Sequence, residues 1–196
     1  MSAAYASLRE HLADYGRRWP GEEEVIAHFL ALLDAPANPF VRERLEGHLT
    51  GGAWLVSGDG LRILMTHHRK LDRWLQLGGH ADGDTDMARV ALKEAEKESG
   101  LSDMAVEGDI FDLDRHWIPE RKGVPGHWHY DVRYVVRAGG SEDYVVSEES
   151  LDLAWREIAP LADDPDQSLS RMARKWLATR MSASEDGSLQ ERRDAL

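Results

Sequence analysis

Apolar residues first recur at helical spacing. Val25, Ile26, Phe29, Leu30 and Leu33 fall on one side of a segment that opens on Glu22, Glu23 and Glu24, acidic residues that suit a helix N-terminus. Two helices are predicted, over about residues 3–15 and 22–34. A break with two prolines follows at 35–40, then a third short helix over 40–47. The pattern next turns to alternation. Segments 49–57 and 61–66 flank Gly58-Asp59-Gly60, a hairpin signal, and 73–77 is a short strand running into Gly78-Gly79. A helix is predicted over about 86–99, with Gly100 as its terminating residue. Strands return at 106–113 and 127–137, with shorter strand-like pieces at 144–146 and 151–157. A last helix spans about 166–180, and the polar chain from Ser182 reads as a tail. This order predicts an α/β fold, a mixed sheet between helices. It predicts a helical extension over 1–47, a main domain over 48–181 and the tail over 182–196.

One helix carries unusual chemistry. On a wheel, Met87, Val90, Ala91 and Ala95 lie to one side of 87–99, and Arg89, Lys93 and Glu96 to the other. Glu94 and Glu98 are four apart and stack on one face, beside the apolar stripe. Like charges there repel and resist desolvation, and a hard divalent cation such as Mg²⁺ or Mn²⁺ relieves both costs. The plain alternative is a solvated edge with Glu94 paired to Lys97 or Lys93. The preceding loop, Gly78-Gly79-His80-Ala81-Asp82-Gly83-Asp84, lets backbone N–H groups approach an anion. Strand, glycine loop and glutamate helix together suit a metal–phosphate site.

Composition narrows the partners. The net charge of −12 and the lack of any Lys/Arg cluster beyond a short pair argue against extended nucleic-acid binding. A metal-mediated phosphate contact stays open to an acidic chain. The absence of cysteine excludes disulfides, thiolate zinc and a cysteine nucleophile. No apolar run is long enough to span a bilayer and the start lacks a secretory pattern, so a cytoplasmic protein without membrane contact is expected. The oligomeric state is left open, a homodimer included.

The stretch 78–101, GGHADGDTDMARVALKEAEKESGL, resembles the Nudix box. That signature is a Gly, five residues, a Glu, seven residues, then Arg-Glu-apolar-any-Glu-Glu-any-Gly-apolar. Gly79 matches its first glycine, Lys93-Glu94-Ala95 its Arg-Glu-apolar, and Glu98, Gly100 and Leu101 its end. Trp155 resembles a common downstream feature, and the likeness extends over 49–160. Thr85 stands at the first glutamate, with Asp84 one residue before it. Lys93 replaces the arginine and Lys97 replaces a metal-binding glutamate. The resemblance implies an α/β/α sandwich and a hydrolase that splits the phosphoanhydride bond of a nucleoside diphosphate derivative or related diphosphate. It implies Mg²⁺ or Mn²⁺ as cofactor, held by Glu94 and Glu98 with Asp84 as a further ligand. It places Glu98, or Glu148 or Glu149 in the loop before Trp155, as the carboxylate that assists proton removal. Gly79, Lys93 and Lys97 are the implied substrate-side residues, and Arg69, in the local cationic pair Arg69-Lys70, is a further candidate to meet a phosphate. The substitutions at Thr85 and Lys97 keep a non-catalytic ligand-binding Nudix domain as the alternative. Gly79-His80 also resembles the head of the box in isopentenyl diphosphate isomerases, but those enzymes use a cysteine that this chain lacks.

The last feature is the strand at 127–137, HWHYDVRYVVR. With period two, His127, His129, Asp131 and Arg133 share one face, and Trp128, Tyr130, Val132, Tyr134 and Val136 the other, which is core. His-x-His-x-Asp suits a transition metal or a phosphate cradle, against the alternative of a solvated polar face. His80 and His116 are placed to reach the same region, so His80, His129 and Asp131 are candidate metal ligands that converge with the box helix.

Overall fold

The structure is a computed structural model that describes residues 3–69, 71–147 and 150–194. The elements run α1 (Ala3–Arg18), α2 (Glu23–Asp34), β1 (Gly47–Val56), β2 (Arg62–His68), β3 (Arg73–His80), α3 (Met87–Ser99), β4 (Met104–Ile118), β5 (His127–Ala138), β6 (Ser150–Glu157), α4 (Ile158–Leu161) and α5 (Gln167–Asp194). The chain forms two compact units, Met1–Arg156 and Glu157–Leu196. Among the described residues, no helix is long and apolar enough to cross a membrane.

One six-stranded sheet dominates the first unit, in the order β4-β5-β1-β3-β2-β6. β1 and β5 run parallel, while β1–β3, β2–β3 and β4–β5 are antiparallel, so the sheet is mixed. β1 is buried along its whole length because it lies between β5 and β3. Side chains alternate across it. The Cβ direction of Gly51 points at Val90 of α3 and that of Gly79 at Glu94. The odd positions of β1 therefore face α3, and His48, Thr50 and Gly52 face away. In β3, Gly79 faces the helix and Gly78 and His80 face away.

Three helices share the core on the α3 side. Leu8, Leu12 and Tyr15 of α1 and Phe29, Leu32 and Leu33 of α2 pack in one cluster with Met87, Val90 and Ala91 of α3 and Tyr130, Val132 and Tyr134 of β5. Tyr15 anchors α1 by polar contacts as well. Its hydroxyl donates to Glu22 and accepts from the Leu113 amide at 3.2 Å. Arg18 donates to the Ile110 carbonyl at 2.8 Å.

Several elements differ from the pattern-based expectation. Residues 40–47 form turns, not a helix, because Leu49 N–H pairs with the Pro39 carbonyl and draws that segment against the sheet. β3 continues through Gly78, Gly79 and His80, which pair with Gly52, Gly51 and Thr50. β4 runs to Ile118 because β5 pairs with it throughout, across a bulge between Glu107 and Asp112 that contains Gly108 at φ +68°. Residues 144–146 join no strand, and α5 continues to Asp194, past the expected start of the tail. In the second unit Asp166 opens α5 by accepting from the Ser168 and Leu169 amides at 2.9 and 3.2 Å.

The closeness of α3 to the sheet depends on Gly51, where an added Cβ would lie 2.6 Å from Val90 Cγ1. Gly51→Ala is expected to destabilise the fold by about 1–3 kcal/mol through overpacking. Val90→Ala in the same chain should recover part of that loss, read as the midpoint of urea unfolding.

Candidate functional site

The box helix is fixed at both ends. Asp86 caps its start by accepting from the Arg89 amide at 3.0 Å, and Gly100 ends it in the left-handed region at φ 69°. Asp84 braces the loop before it. Its carboxylate accepts from the Asp86 amide at 3.1 Å, from Arg89 Nε at 2.8 Å and from Lys93 Nζ at 3.1 Å. The Arg89 guanidinium lowers its pKa well below the usual carboxylate range. Lys93 thus engages Asp84 and not a helix glutamate.

Glu94 and Glu98 both face β3. Glu98 is 4% exposed and accepts from the Gly78 amide at 3.0 Å. Glu94 lies over Gly79, where a Cβ would come 2.4 Å from Glu94 Oε2. Any side chain at Gly79 would therefore displace the carboxylate. Lys97 Nζ donates to Glu94 Oε2 at 2.9 Å, so the residue that replaces an acidic box position lies against its neighbour. Across the loop Arg42 forms a two-bond pair with Asp82 at 2.7 and 2.6 Å. The Asp82 hydrogen bond raises the pKa of Arg42, and the charge of Glu94 adds to the effect. Arg42 is a cation beside the box that its sequence position in a turn does not advertise. Arg69 lies beyond the other end of β3, which starts at Arg73 and places that end six residues, roughly 20 Å, from Gly79. There Arg69 donates to the Ser150 carbonyl at 2.8 Å. Glu148 and Glu149 lie outside the described residues.

Five of the nine histidines gather on the sheet face turned away from α3. The register accounts for this. His116 of β4 pairs with His129 of β5, His129 pairs with His48 of β1, and His80 of β3 pairs with Thr50, two residues further along β1. Ring centroids lie 4.9 Å apart for His48–His129, 5.2 Å for His48–His80 and for His80–His129, and 5.0 Å for the stacked His48–His127. Burial lowers the pKa of His80 to about 4 and of His129 to about 3. Burial lowers that of His48 as well. At His116 burial acts in the same direction, but the Asp114 hydrogen bond and the Asp131 charge outweigh it and raise the pKa.

Beside the imidazoles lies a buried acidic network. Arg133 donates to Asp112 and to Asp131, both at 2.9 Å, and lies 3.3 Å from Asp114. Thr50 also donates to Asp131. Burial favours the neutral form of Asp131, but the Arg133 and His116 charges prevail and its pKa is lowered.

Two groups of side chains present ligand atoms within 4.8 Å of one another, namely His48, His80 and His129, and His116, His129 and Asp131. Among the described residues neither group includes Glu94 or Glu98. His129 belongs to both groups, His80 to one and Asp131 to the other, while the box carboxylates lie on the α3 side. His48 was not singled out from the sequence. Its signal was the alternation His48-x-Thr50-x-Gly52, which gains meaning only once β1 and β5 are known to pair in parallel.

No family model and no curated protein matches this sequence. Solved structures do. A C. elegans Ap4A hydrolase binary complex aligns with TM-score 0.54 at 17% identity, over 68% of this chain and 98% of that one. A NUDIX family hydrolase from Clostridium perfringens aligns with TM-score 0.53 at 18% identity, over 67% and 97%. The E. coli dihydroneopterin triphosphate pyrophosphohydrolase aligns with TM-score 0.54 at 15% identity, over 67% and 95%. At these identities the likeness establishes the fold, and the chain has the Nudix fold.

The lowered histidine pKa values fix a pH dependence for the metal-free protein. An unfolded imidazole binds its proton near pH 6.5, whereas folded His80 and His129 bind theirs only near 4 and 3. Between those values the unfolded chain holds more protons, so stability falls as pH drops from about 6.5 toward 4. His129→Gln should flatten that slope in denaturant titrations made in EDTA at a series of pH values.

Proposed function

We propose that this chain is a divalent-metal-dependent hydrolase that splits a phosphoanhydride bond in a nucleoside diphosphate derivative or related small diphosphate. The observation that carries the proposal is the placement of Glu98 and Glu94 against Gly78 and Gly79. A buried carboxylate and a second one beside it, both at the end of a glycine strand, form a set of hard oxygens suited to Mg²⁺ or Mn²⁺. The Nudix fold and the hydrolase names of its structural neighbours support the reaction class. The metal supplies charge neutralisation at the phosphate oxygens and a lowered pKa for the attacking water.

The chain's own residues would do the rest. Glu98, held by the Gly78 amide, would serve as a metal ligand and help remove the proton from the attacking water. Glu148 and Glu149 are the further candidates for that proton. Glu94 would be the second ligand, and Lys97 would release it to meet substrate phosphate. Asp84 keeps the loop in register and, as a metal ligand, would first have to part from Arg89 and Lys93. The absence of a side chain at Gly79 keeps the Glu94 carboxylate at the strand end.

One observation favours a second reading, a ligand-binding domain without catalysis. The Lys97 ammonium already lies against one oxygen of the Glu94 carboxylate. The test is Mg²⁺- or Mn²⁺-dependent release of phosphate or nucleotide from a panel of nucleoside diphosphate derivatives. Turnover is expected, and Glu94→Gln and Glu98→Gln should each lower it at least about tenfold. Absence of turnover across the panel, with binding of its members retained, would establish the second reading. Lys97→Glu restores an acidic group and should tighten Mn²⁺ binding in titration calorimetry. If Lys97 instead grips phosphate, the same change should weaken substrate binding.

A further inference from the structure

The most concentrated chemistry outside the box is the imidazole cluster on the opposite sheet face. Three observations there point to a ligand. The first is an unpartnered lone pair. His48 is 2% exposed, its Nδ1 lies 3.2 Å from the Arg44 carbonyl, and its Nε2 is buried with no hydrogen-bond partner among the described residues. A carbonyl only accepts, so Nδ1 carries the proton and Nε2 bears the lone pair. A buried acceptor without a donor is destabilising, and bound metal would relieve that cost.

The second observation is the company this imidazole keeps. One ring nitrogen from each of His48, His80 and His129 lies within 4.8 Å of the other two. Nitrogens at zinc distance stand about 3.3 Å apart along a tetrahedral edge, so small ring rotations would close the set around one ion.

The third is that the supporting contacts already set the tautomers. His127 donates from Nδ1 to the Pro125 carbonyl at 2.8 Å, so its Nε2 is an acceptor. That Nε2 lies 3.3 Å from His129 Nε2, which then donates and leaves Nδ1 as the lone-pair atom of His129. Ligating histidines characteristically give their second N–H to a carbonyl or a similar acceptor, as His48 and His129 do here.

We propose that His48, His80 and His129 form a three-imidazole site for a borderline-soft divalent cation, Zn²⁺ foremost, separate from the carboxylate site on α3. Imidazole nitrogens suit Zn²⁺ and its transition-metal neighbours, whereas Mg²⁺ demands oxygen. Three protein ligands leave a fourth position for water or a substrate oxygen. His127 acts as a positioning residue for His129. The acidic network of Asp131, Asp112 and Asp114 adds negative charge beside the site.

The full chain, freed of metal with a chelator, is titrated with Zn²⁺ against a chelating dye. One Zn²⁺ per chain is expected. His48→Gln and His80→Gln, checked for folding by circular dichroism, should each weaken it at least about tenfold. Glu98→Gln should leave Zn²⁺ binding unchanged, which separates this site from the hydrolytic proposal. Co²⁺ in the unmutated protein should give the intense visible bands of a four-coordinate site, a readout that stands if His48→Gln does not fold. No stoichiometric Zn²⁺ binding, an octahedral Co²⁺ spectrum, or folded His48→Gln and His80→Gln variants that bind as the unmutated protein does would each overturn the proposal.

Discussion

Everything at the box depends on how closely α3 approaches the sheet. Gly51 receives Val90, and Gly79 leaves room for Glu94. Gly78 lies so near the Gly51 carbonyl oxygen that a Cβ would reach it at 2.8 Å. Gly51 and Gly79 let a helix pack almost directly on strand backbone, and Gly78 lets β3 lie close to β1. Only then can Glu98 reach the Gly78 amide while the helix keeps Val90, Ala91 and Ala95 in the core. Burial of a carboxylate without such a partner would be costly, and here the strand supplies one.

The same strands separate two kinds of chemistry. Period-two alternation sends Glu-facing glycines to one side and histidines to the other. On the α3 side the carboxylates offer oxygens, hard donors of the kind that suit Mg²⁺ or Mn²⁺. The opposite side offers imidazole nitrogens, backed by the Arg133 network with Asp112, Asp114 and Asp131. His80 directly follows Gly79, so two adjacent residues of β3 face opposite sides of the sheet.

Much of this was legible in the sequence. The box helix, its Asp86 entry and Gly100 exit, and the inward face of β5 follow from local periodicity and capping, which depend on residues close in the chain. What was not legible depends on long-range pairing. The parallel register of β1 with β5 brings His48 to His129, 81 positions later in the chain. Arg42 was hidden for the same reason, because its partner Asp82 is forty residues away. Residues 40–47 looked helical by local pattern, yet pairing with the sheet through Pro39 and Leu49 made turns of them. The extension of β3 through two glycines also contradicts local propensity, since glycine weakens a strand, and it occurs because β1 offers Gly51 and Gly52 as close partners.

The central claim is that the oxygens of Glu94 and Glu98 hold a divalent cation beside Gly78 and Gly79. Paramagnetic broadening of amide signals by substoichiometric Mn²⁺, in the uniformly ¹⁵N-labelled full chain, tests it most directly. The account predicts that the Gly78, Gly79 and Glu98 amides broaden first. Broadening centred elsewhere, or none at these amides, would contradict it.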